Sequence, residues 1–507
     1  MNLSLLVFVP LITAIAVLLC KGARQARVMA LAGAVVQVLL AFVLLSLYRD
    51  ERLAGNKALM LFESDRTWFT PLNIHYHIGV DGISLAMILL TAFVVLAGIL
   101  VSWAMDILPK EFFFLLLFLS VGAYGFFISL DLFTLFFFLE VSVIPKFLLI
   151  GIWGSGKKEY SAMKLALMLM GGSALVLIGL LGLYFNAGMP EPGTVVGSLN
   201  FPRPVRTFDL MTISQESIPT VAQYVFFPFL FVGFGVFGAL FPFHTWVPDG
   251  HSSAPTAASM FLAGISMKLG GYGCLRVATF LMPQAAHYYS PFIIVLSTIA
   301  IIYGAFATMM QTDLKYINAY SSVSHCGFVL LGIGMLTQTA ITGAVMQMVS
   351  HGLMTALFFA AIGMIYSRTH TRIVAQMGGL LKIMPFLSTA FVIAGLCSLG
   401  LPGFSGFAAE ITVFMGSWQH AGTGYRVATL LACASIVVTA VYILRAVGST
   451  IMGPLRMPVA GGMDASWNER VALVLLIAGI VLIGVAPFWL YDLLTPAVKT
   501  IVNALNK

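Results

Sequence analysis

The amino-acid sequence predicts an all-α polytopic membrane protein with about fourteen transmembrane helices. Three observations predict this fold class. Of the 507 residues, 60% are hydrophobic and only 9% are charged, whereas roughly a quarter of the residues in soluble chains are charged. Apolar windows of about 20 residues, each long enough to cross a bilayer, recur along the chain. Prolines also interrupt several of these windows, as in the broken helices of transporters.

The apolar windows set the order of the predicted helices and domains. They lie near residues 2–20, 28–48, 83–105, 111–130, 132–154, 161–186, 221–243, 256–281, 291–311, 314–336, 339–366, 384–419, 424–448 and 470–492. We predict helices 1–3 in 1–110, a first five-helix repeat in 111–281, a second in 291–448, and a C-terminal helix and tail in 449–507. The first window begins apolar without a basic segment, which predicts a retained span rather than a cleaved signal.

Breaks within the spans predict how the two repeats are related. Pro145 interrupts the fifth span, Pro228 and Pro242 the seventh, and residues 401–406 the twelfth. Such breaks are tolerated only where the freed backbone is buried or lines a wet cavity. Spans 4–8 and 9–13 each form a unit of five with a broken helix. Because five is odd, the two repeats are expected to have inverted topology.

Basic loops predict the orientation of the chain. Lysines and arginines follow the first, fifth, eleventh and thirteenth spans, and the positive-inside rule then places both termini on the outer side. These residues are Lys21, Arg24, Arg27, Lys157, Lys158, Arg368, Arg372, Lys382, Arg445, Arg456 and Arg470. Although the net charge is +7, the basic residues are scattered, so the expected environment is a lipid bilayer and not a nucleic acid.

One span carries a lysine in its middle. The polar loop 244–255 leads into an apolar helix in which Lys268 lies about 18 Å beyond Thr256, at ~1.5 Å per residue. A cation near the centre of a bilayer core about 30 Å thick costs several kcal/mol unless it pairs, contacts water or loses its proton. We therefore interpret Lys268 as functional; the alternative is a lysine that extends to the interface.

Other titratable residues lie at similar depths in other spans. Glu140, His325, His351 and Glu410 join Lys268 to form a row of carboxylate, amine and imidazole groups from five spans. Each group can hold and release a proton, and burial moves its pKa toward neutrality. The row predicts a proton relay. The alternative treats each histidine as a hydrogen-bonded core residue.

Signals for a cofactor or metal are weak. No HxxxH or HxxE spacing joins the titratable residues. No CxxC, no GxxxxGK[ST] and no GxGxxG before a helix appears, and the five cysteines are irregularly spaced. We predict no cofactor and no metal in this chain. His244 and His251, seven residues apart near Asp249, are expected to shape their loop or take up protons, with a metal as the alternative.

Five segments resemble a known family. They are HTWVPDGHSSAPTAASMFLAGISMKLGGYGCLR, LEVSVIP, QTDLKYINAYSSVSHCGF, VMQMVSHGL and LPGFSGFAAE. Nearly the whole chain resembles the antiporter-like membrane subunits of respiratory complex I, the NADH:quinone oxidoreductase, and most closely the M group that corresponds to mitochondrial subunit 4. The resemblance implies fourteen helices in two inverted repeats with broken seventh and twelfth helices.

The resemblance also implies the function and the partners. The chain is expected to translocate protons in a respiratory chain while NADH, FMN, iron–sulfur clusters and quinone are bound elsewhere in the complex. Its partners would be other membrane-arm subunits, including neighbouring antiporter-like ones. The expected location is an energy-transducing membrane, such as a bacterial inner membrane.

The family motifs imply a role for several residues. Glu140 corresponds to the ion-pair carboxylate of the fifth helix, and Lys268 to the central lysine of the eighth. His325 and His351 form the middle relay. Glu410 is the acidic residue that distinguishes the M group from relatives with lysine there. Lys164 corresponds to a lysine of the sixth helix that lies nearer the inner surface.

One departure from the family concerns the partner of Glu140. The family has a lysine in the broken seventh helix, where this chain has Phe237, and Lys146 follows Pro145 where an apolar residue is usual. Lys146 is expected either near Glu140 or between Glu140 and Lys268. The alternatives are that Lys146 points to the inner surface or a neighbouring subunit, or that the subunit pumps poorly.

The sequence leaves other functions open. Within the same superfamily, the alternatives are a chain of a multi-subunit Na⁺/H⁺ antiporter or of a membrane-bound hydrogenase, since the fold does not separate these functions. Phe237 motivates a non-conducting scaffold. A solute carrier acting alone is disfavoured because few asparagines, glutamines or serines accompany the titratable row.

Overall fold

The computed structural model describes residues 1–189, 206–456 and 464–506, and it confirms the predicted all-α membrane fold class. Among these residues, ten helices are long and apolar enough to cross a membrane. Other predicted spans coincide with shorter or interrupted helices. The predicted total of fourteen and the division into four regions stay predictions.

Ten α-helices and a hairpin lie in the described residues up to 253. They are α1 (Leu5–Leu19), α2 (Ala23–Leu53), β1 (Leu61–Phe69), β2 (Ile74–Val80), α3 (Gly82–Val101), α4 (Pro109–Ile128), α5 (Leu132–Val141), α6 (Val143–Trp153), α7 (Lys158–Asn186), α8 (Leu210–Gln215), α9 (Thr220–Phe237) and α10 (Trp246–Ser253). The fifth predicted span is thus two helices, α5 and α6, that meet at Ser142.

The second half begins with the helix that carries Lys268. Its elements are α11 (Thr256–Phe261), α12 (Met267–Gly273), α13 (Pro283–Met309), α14 (Leu314–Gly334), α15 (Gln338–Thr369), α16 (Pro385–Ser398), α17 (Ser405–Trp418), α18 (Thr423–Thr450), α19 (Trp467–Val485) and α20 (Phe488–Leu505). The turns Leu262–Ser266 and Cys274–Thr279 on either side of α12 are π-helical. Such wide turns leave i→i−4 hydrogen bonds unmade and are frequent at functional sites.

The central element of the bundle is α15. Every residue from Ala340 to Ile365 is buried, and the helix packs against α14, α16, α17 and α19 as well as α3 and α11. A helix that is apolar all round is expected in such a position. A polar side chain on α15 therefore points into protein whichever way it faces.

Two loops show the relation between the repeats. Asp131 caps the N-terminus of α5 and forms a β-bridge with Asp209, while Asp313 caps α14 and forms a β-bridge with Ile373. Each bridge joins the loop before a repeat's second span to the loop before its broken helix. This correspondence supports the repeat, and the inverted relation itself stays a prediction.

Regular structure extends beyond the predicted spans. Residues 61–80, between the second and third predicted spans, form the antiparallel hairpin β1–β2, because aromatic and β-branched residues there pair with a second strand. Part of the predicted polar loop 244–255 is helical, as α10. The predicted tail contains α20, in which apolar and polar residues alternate along the sequence so that one side of the helix is apolar. That side is buried at residues such as Leu490, Leu494 and Val498. An amphipathic helix of this kind lacks a continuous apolar run.

Candidate functional site

Lys268 contacts a residue from the other predicted repeat. Its ammonium nitrogen lies 2.7 Å from Nδ1 of His351 on α15, and it also donates a hydrogen bond to the carbonyl oxygen of Ala263. Both side chains are buried. The carbonyl of Ala263 belongs to the π-helical turn before α12. The local widening of the helix thus supplies a backbone acceptor to a charge that has no access to bulk water.

The row continues from His351 to Glu410. The rings of His351 and His325 are 5.4 Å apart between centroids, and Nδ1 of His325 lies 3.5 Å from Oε1 of Glu410. The structure therefore brings four of the predicted residues into one contact series, Lys268–His351–His325–Glu410. They come from α12, α15, α14 and α17, so the series crosses from the first predicted repeat to the second.

Surrounding polar groups orient the series. Nε2 of His325 lies 3.0 Å from the hydroxyl of Ser398, and the side-chain amide of Gln347 lies 3.3 Å from its Nδ1. Glu410 fits beside the break between α16 and α17, where Gly400 has φ +71° and a β-carbon would lie 2.5 Å from Oε2 of Glu410. Only glycine adopts this left-handed backbone conformation readily and also leaves room for the carboxylate oxygen. The break therefore makes room for the carboxylate.

Lys164 lies apart from the series and pairs with Asp249, which lines a cavity of ≈ 620 Å³. Its ammonium nitrogen is 2.6 Å from Oδ2 of Asp249 on α10, and the hydroxyl of Tyr316 contacts the same carboxylate at 3.3 Å. Lys157 and Arg372 also line this cavity, and both belong to loops with predicted inner positions. The cavity is polar and large enough for several water molecules.

His251 lies between that cavity and the series. It is fully buried, it stacks on Phe359 with 5.3 Å between centroids, and neither ring nitrogen has a hydrogen-bond partner in the protein. Buried imidazole nitrogens are normally hydrogen-bonded, so this ring is a site for water. Lys315, also buried, donates a hydrogen bond of 2.7 Å to the carbonyl of Ala254 nearby. Sequence analysis did not single out Lys315.

The other pair of predicted residues, Glu140 and Lys146, is not in ion-pair contact. No nitrogen of Lys146 lies within 4.0 Å of a Glu140 oxygen in the described residues. Lys146 is buried, donates a hydrogen bond of 3.0 Å to the hydroxyl of Ser142, and places its ammonium 5.7 Å from the ring centroid of Phe237. It does not reach the surface of the chain.

A further buried charge was missed. Arg276, in the π-helical turn after α12, pairs with Asp81 at the N-terminus of α3. The rule that identified Lys268, a charge within an apolar span, applies to Arg276 as well. Tyr272, one turn from Lys268, hydrogen-bonds to Ser84 at 2.9 Å beside this pair.

The described residues offer little for a metal. Within 1–189, 206–456 and 464–506, no three histidine, cysteine, aspartate or glutamate side chains converge on one point. His244 stacks between Phe241 and Tyr303, whereas His251 stacks on Phe359. The two rings therefore pack in different aromatic surroundings.

Comparisons with known proteins cover the whole of this site. Residues 129–423 match the family model described as NADH:quinone oxidoreductase/Mrp antiporter, transmembrane. Subunit M of the NADH-quinone oxidoreductase of Rhodobacter capsulatus is 34% identical over 508 residues, which cover 99% of this chain and 96% of that one. NAD(P)H-quinone oxidoreductase chain 4-2 of Synechocystis sp. is 38% identical over 381 residues, which cover 75% of this chain and 65% of that relative's length.

A solved structure shares the fold. A chain in the structure of respiratory complex I from Thermus thermophilus with bound NADH superposes with a TM-score of 0.86, covers 99% of both chains, and is 24% identical. At that identity, the similarity concerns the architecture alone. All seven predicted site residues lie between positions 129 and 423, inside the family match.

Proposed function

This chain belongs to the family of NADH:quinone oxidoreductase and Mrp antiporter transmembrane subunits, and on that premise we propose that it is the M-type proton-translocating subunit of a respiratory complex I. The observation that carries the proposal is the contact series Lys268–His351–His325–Glu410. Its members are buried, come from four helices, and can each hold and release a proton.

The chemistry of the series is a chain of proton transfers. The Lys268 ammonium gives a proton to the neutral His351 ring, leaving an amine and an imidazolium. An imidazole accepts a proton at one nitrogen and releases another from its second nitrogen, so His351 and then His325 pass the charge on. The Glu410 carboxylate accepts it and becomes neutral. No bond other than those to hydrogen changes.

Repulsion keeps the transfers in step. Two unit charges 4 Å apart repel by about 4 kcal/mol at an effective dielectric constant of 20. At 2.7 Å, Lys268 and His351 therefore share one positive charge rather than hold two. A second proton enters the series only after the first has moved on. When protons are supplied at one end or removed at the other, they therefore move along the series in one direction.

The cavity at Lys164 and Asp249 is the uptake side in this proposal. Asp249 lines this cavity and pairs with Lys164 behind it, and His251 offers two unpartnered nitrogens further inside. A proton taken up near Asp249 passes inward by way of His251.

The remaining chemistry is assigned to other chains. NADH, FMN, iron–sulfur clusters and quinone are bound elsewhere in the complex, so this chain acts in a translocase without carrying the redox reaction. Its partners are other membrane-arm subunits, including neighbouring antiporter-like ones. The proposed location is a bacterial inner membrane, with both termini on the outer side.

The deciding experiment is Lys268→Met. Methionine keeps the length of the side chain but holds no proton, so proton pumping coupled to quinone reduction should fall at least tenfold in an assembled complex. Pumping is measured as acidification in vesicles during NADH oxidation, and assembly by native electrophoresis. Lys382→Met, at an exposed lysine, is the control. Normal pumping in assembled Lys268→Met would exclude this role and favour the non-conducting scaffold.

The family description also includes Mrp antiporters, so Na⁺/H⁺ exchange is the second candidate. Replacing sodium with choline in the same vesicles separates the two. Proton pumping that persists without sodium supports the complex I function. Pumping that requires sodium supports the antiporter.

A further inference from the structure

The side chain of Lys146 is buried with few partners. Its exposed fraction is 1%, its one hydrogen bond goes to Ser142, and the ring of Phe237 covers its ammonium. A buried ammonium with one neutral acceptor is poorly compensated, because the aromatic ring and a single hydroxyl replace a full hydration shell. This lysine is therefore able to give up its proton.

A carboxylate lies close by with a free acceptor. Oε1 of Glu140 is buried and has no hydrogen-bond partner in the protein. The two groups are not in ion-pair contact. Glu140 lies on α5 and Lys146 on α6, and the two helices meet at Ser142. A proton transfer between them would need a bridging water.

The wall on the other side of Lys146 borders Lys268. Phe237 is the last residue of α9, and its neighbour Gly238 lines a cavity of ≈ 10 Å³ together with Lys268. That volume is about enough for the centre of one water molecule. A β-carbon at Gly270 on α12 would lie 2.8 Å from the α-carbon of Gly238. The end of α9 is thus a thin partition between the two lysines.

We propose that Lys146, seated on the ring of Phe237, is a proton carrier that connects Glu140 with Lys268. The inference rests on the proposed function and extends its axis by two residues. In each transfer, the Lys146 ammonium releases a proton through water to the neutral amine of Lys268. Lys146 is left as an amine, and protonated Glu140 then restores its proton and becomes a carboxylate.

The ring of Phe237 positions the Lys146 ammonium but carries no proton itself. Its ring holds the ammonium by a cation–π contact, which is worth more when the cation is desolvated. Because residue 237 faces the same space from the other wall, a lysine there would return a titratable amine to the gap that Lys146→Met leaves. Residue 237 is therefore a position at which a lysine can rescue the Lys146→Met variant.

The test compares four variants in the assembled complex. Lys146→Met should lower the number of protons pumped per NADH at least fivefold. Lys146→Arg should lower it similarly, because a guanidinium keeps the charge but does not release a proton. Lys146→Met combined with Phe237→Lys should regain at least a third of the loss. Phe237→Leu alone keeps the lysine and should retain more than half of the pumping.

Each outcome decides the inference. Lys146→Met pumping within twofold of the parent overturns it, and so does normal pumping by Lys146→Arg, which would mean that only the positive charge matters. If the double variant regains no pumping, an amine at residue 237 cannot replace Lys146, and the proposed position of the carrier beside Phe237 is overturned. If Lys268→Met also pumps normally, the proposed function fails as well. If only Lys268→Met loses pumping, the inference on Lys146 alone is wrong.

Discussion

Two groups of titratable residues in this protein differ in how their members meet. In the series Lys268–His351–His325–Glu410, direct contacts of 2.7 Å and 3.5 Å join its two ends to a pair of histidine rings 5.4 Å apart. Glu140 and Lys146 have no such contact, and a hydroxyl and an aromatic ring are the neighbours of the ammonium. One group is continuous and the other is interrupted.

The difference teaches where control of proton movement lies. Transfers along the continuous series need little rearrangement at its ends, where Lys268 contacts His351 and His325 lies 3.5 Å from Glu410. Transfers across the partition formed by Phe237 and Gly238 need water to enter a space of ≈ 10 Å³. Hydration of that gap, beside the end of α9, is therefore the step that limits the proposed transfer.

The largest expected effect breaks the continuous series. His351→Leu removes the ring that contacts Lys268 and faces His325, leaving an apolar side chain that carries no proton. Proton pumping during NADH oxidation should fall at least tenfold. His420→Leu is the control, because His420 stacks on Tyr425 away from the series. Parent-like pumping by assembled His351→Leu would mean that protons bypass the series.

A smaller effect is expected at the uptake side. Lys164→Met breaks the 2.6 Å ion pair with Asp249 at the cavity but leaves the series intact, so pumping should slow about two- to fivefold, typical of a group that assists rather than carries each transfer. Initial rates of vesicle acidification measure it. Lys157→Met is the matched control, since Lys157 lines the same cavity without an ion pair. Equal losses in both variants would indicate a general effect of charge.

The smallest effect concerns the hairpin β1–β2. Nδ1 of His77 on β2 lies 2.6 Å from Oδ2 of Asp209, which caps α8. Burial lowers the pKa of His77, but the hydrogen bond and charge of Asp209 outweigh it, so the net pKa is raised. For Asp209, burial raises the pKa and His77 outweighs it, so the net pKa is lowered.

The signs of these two shifts define a pH window. A raised His77 pKa gives stability that is complete below its unfolded value, about 6.5, and is lost as pH rises through the folded value. A lowered Asp209 pKa gives stability above about 3.9 that is lost as pH falls through the folded value. His77→Gln should therefore weaken hairpin protection at pH 6, by about 1 kcal/mol, and hardly at all at pH 10. Hydrogen exchange of residues 61–80 measures this, and a pH-independent difference would contradict it.

Local sequence determined the spans and most of the series. Apolar windows of about 20 residues predict helices because unpaired backbone groups are costly in lipid. Lys268, His325, His351 and Glu410 stand out for the same reason, since polar side chains within such windows must be accommodated by other polar groups. These inferences need only the energy of transfer into an apolar medium, which each segment carries by itself.

Tertiary structure decided which groups touch. The sequence gives no sign that His351 meets Lys268 directly, because the contact joins helices 83 residues apart. The sequence predicted a break at Pro145, whereas α5 ends earlier, at Val141. The sequence therefore could not show that the Lys146 ammonium lies on the ring of Phe237. The hairpin and α20 were missed because their stability comes from partners elsewhere in the fold. Burial is a property of one segment, but contact requires the packing of several, and only the assembled bundle fixes it.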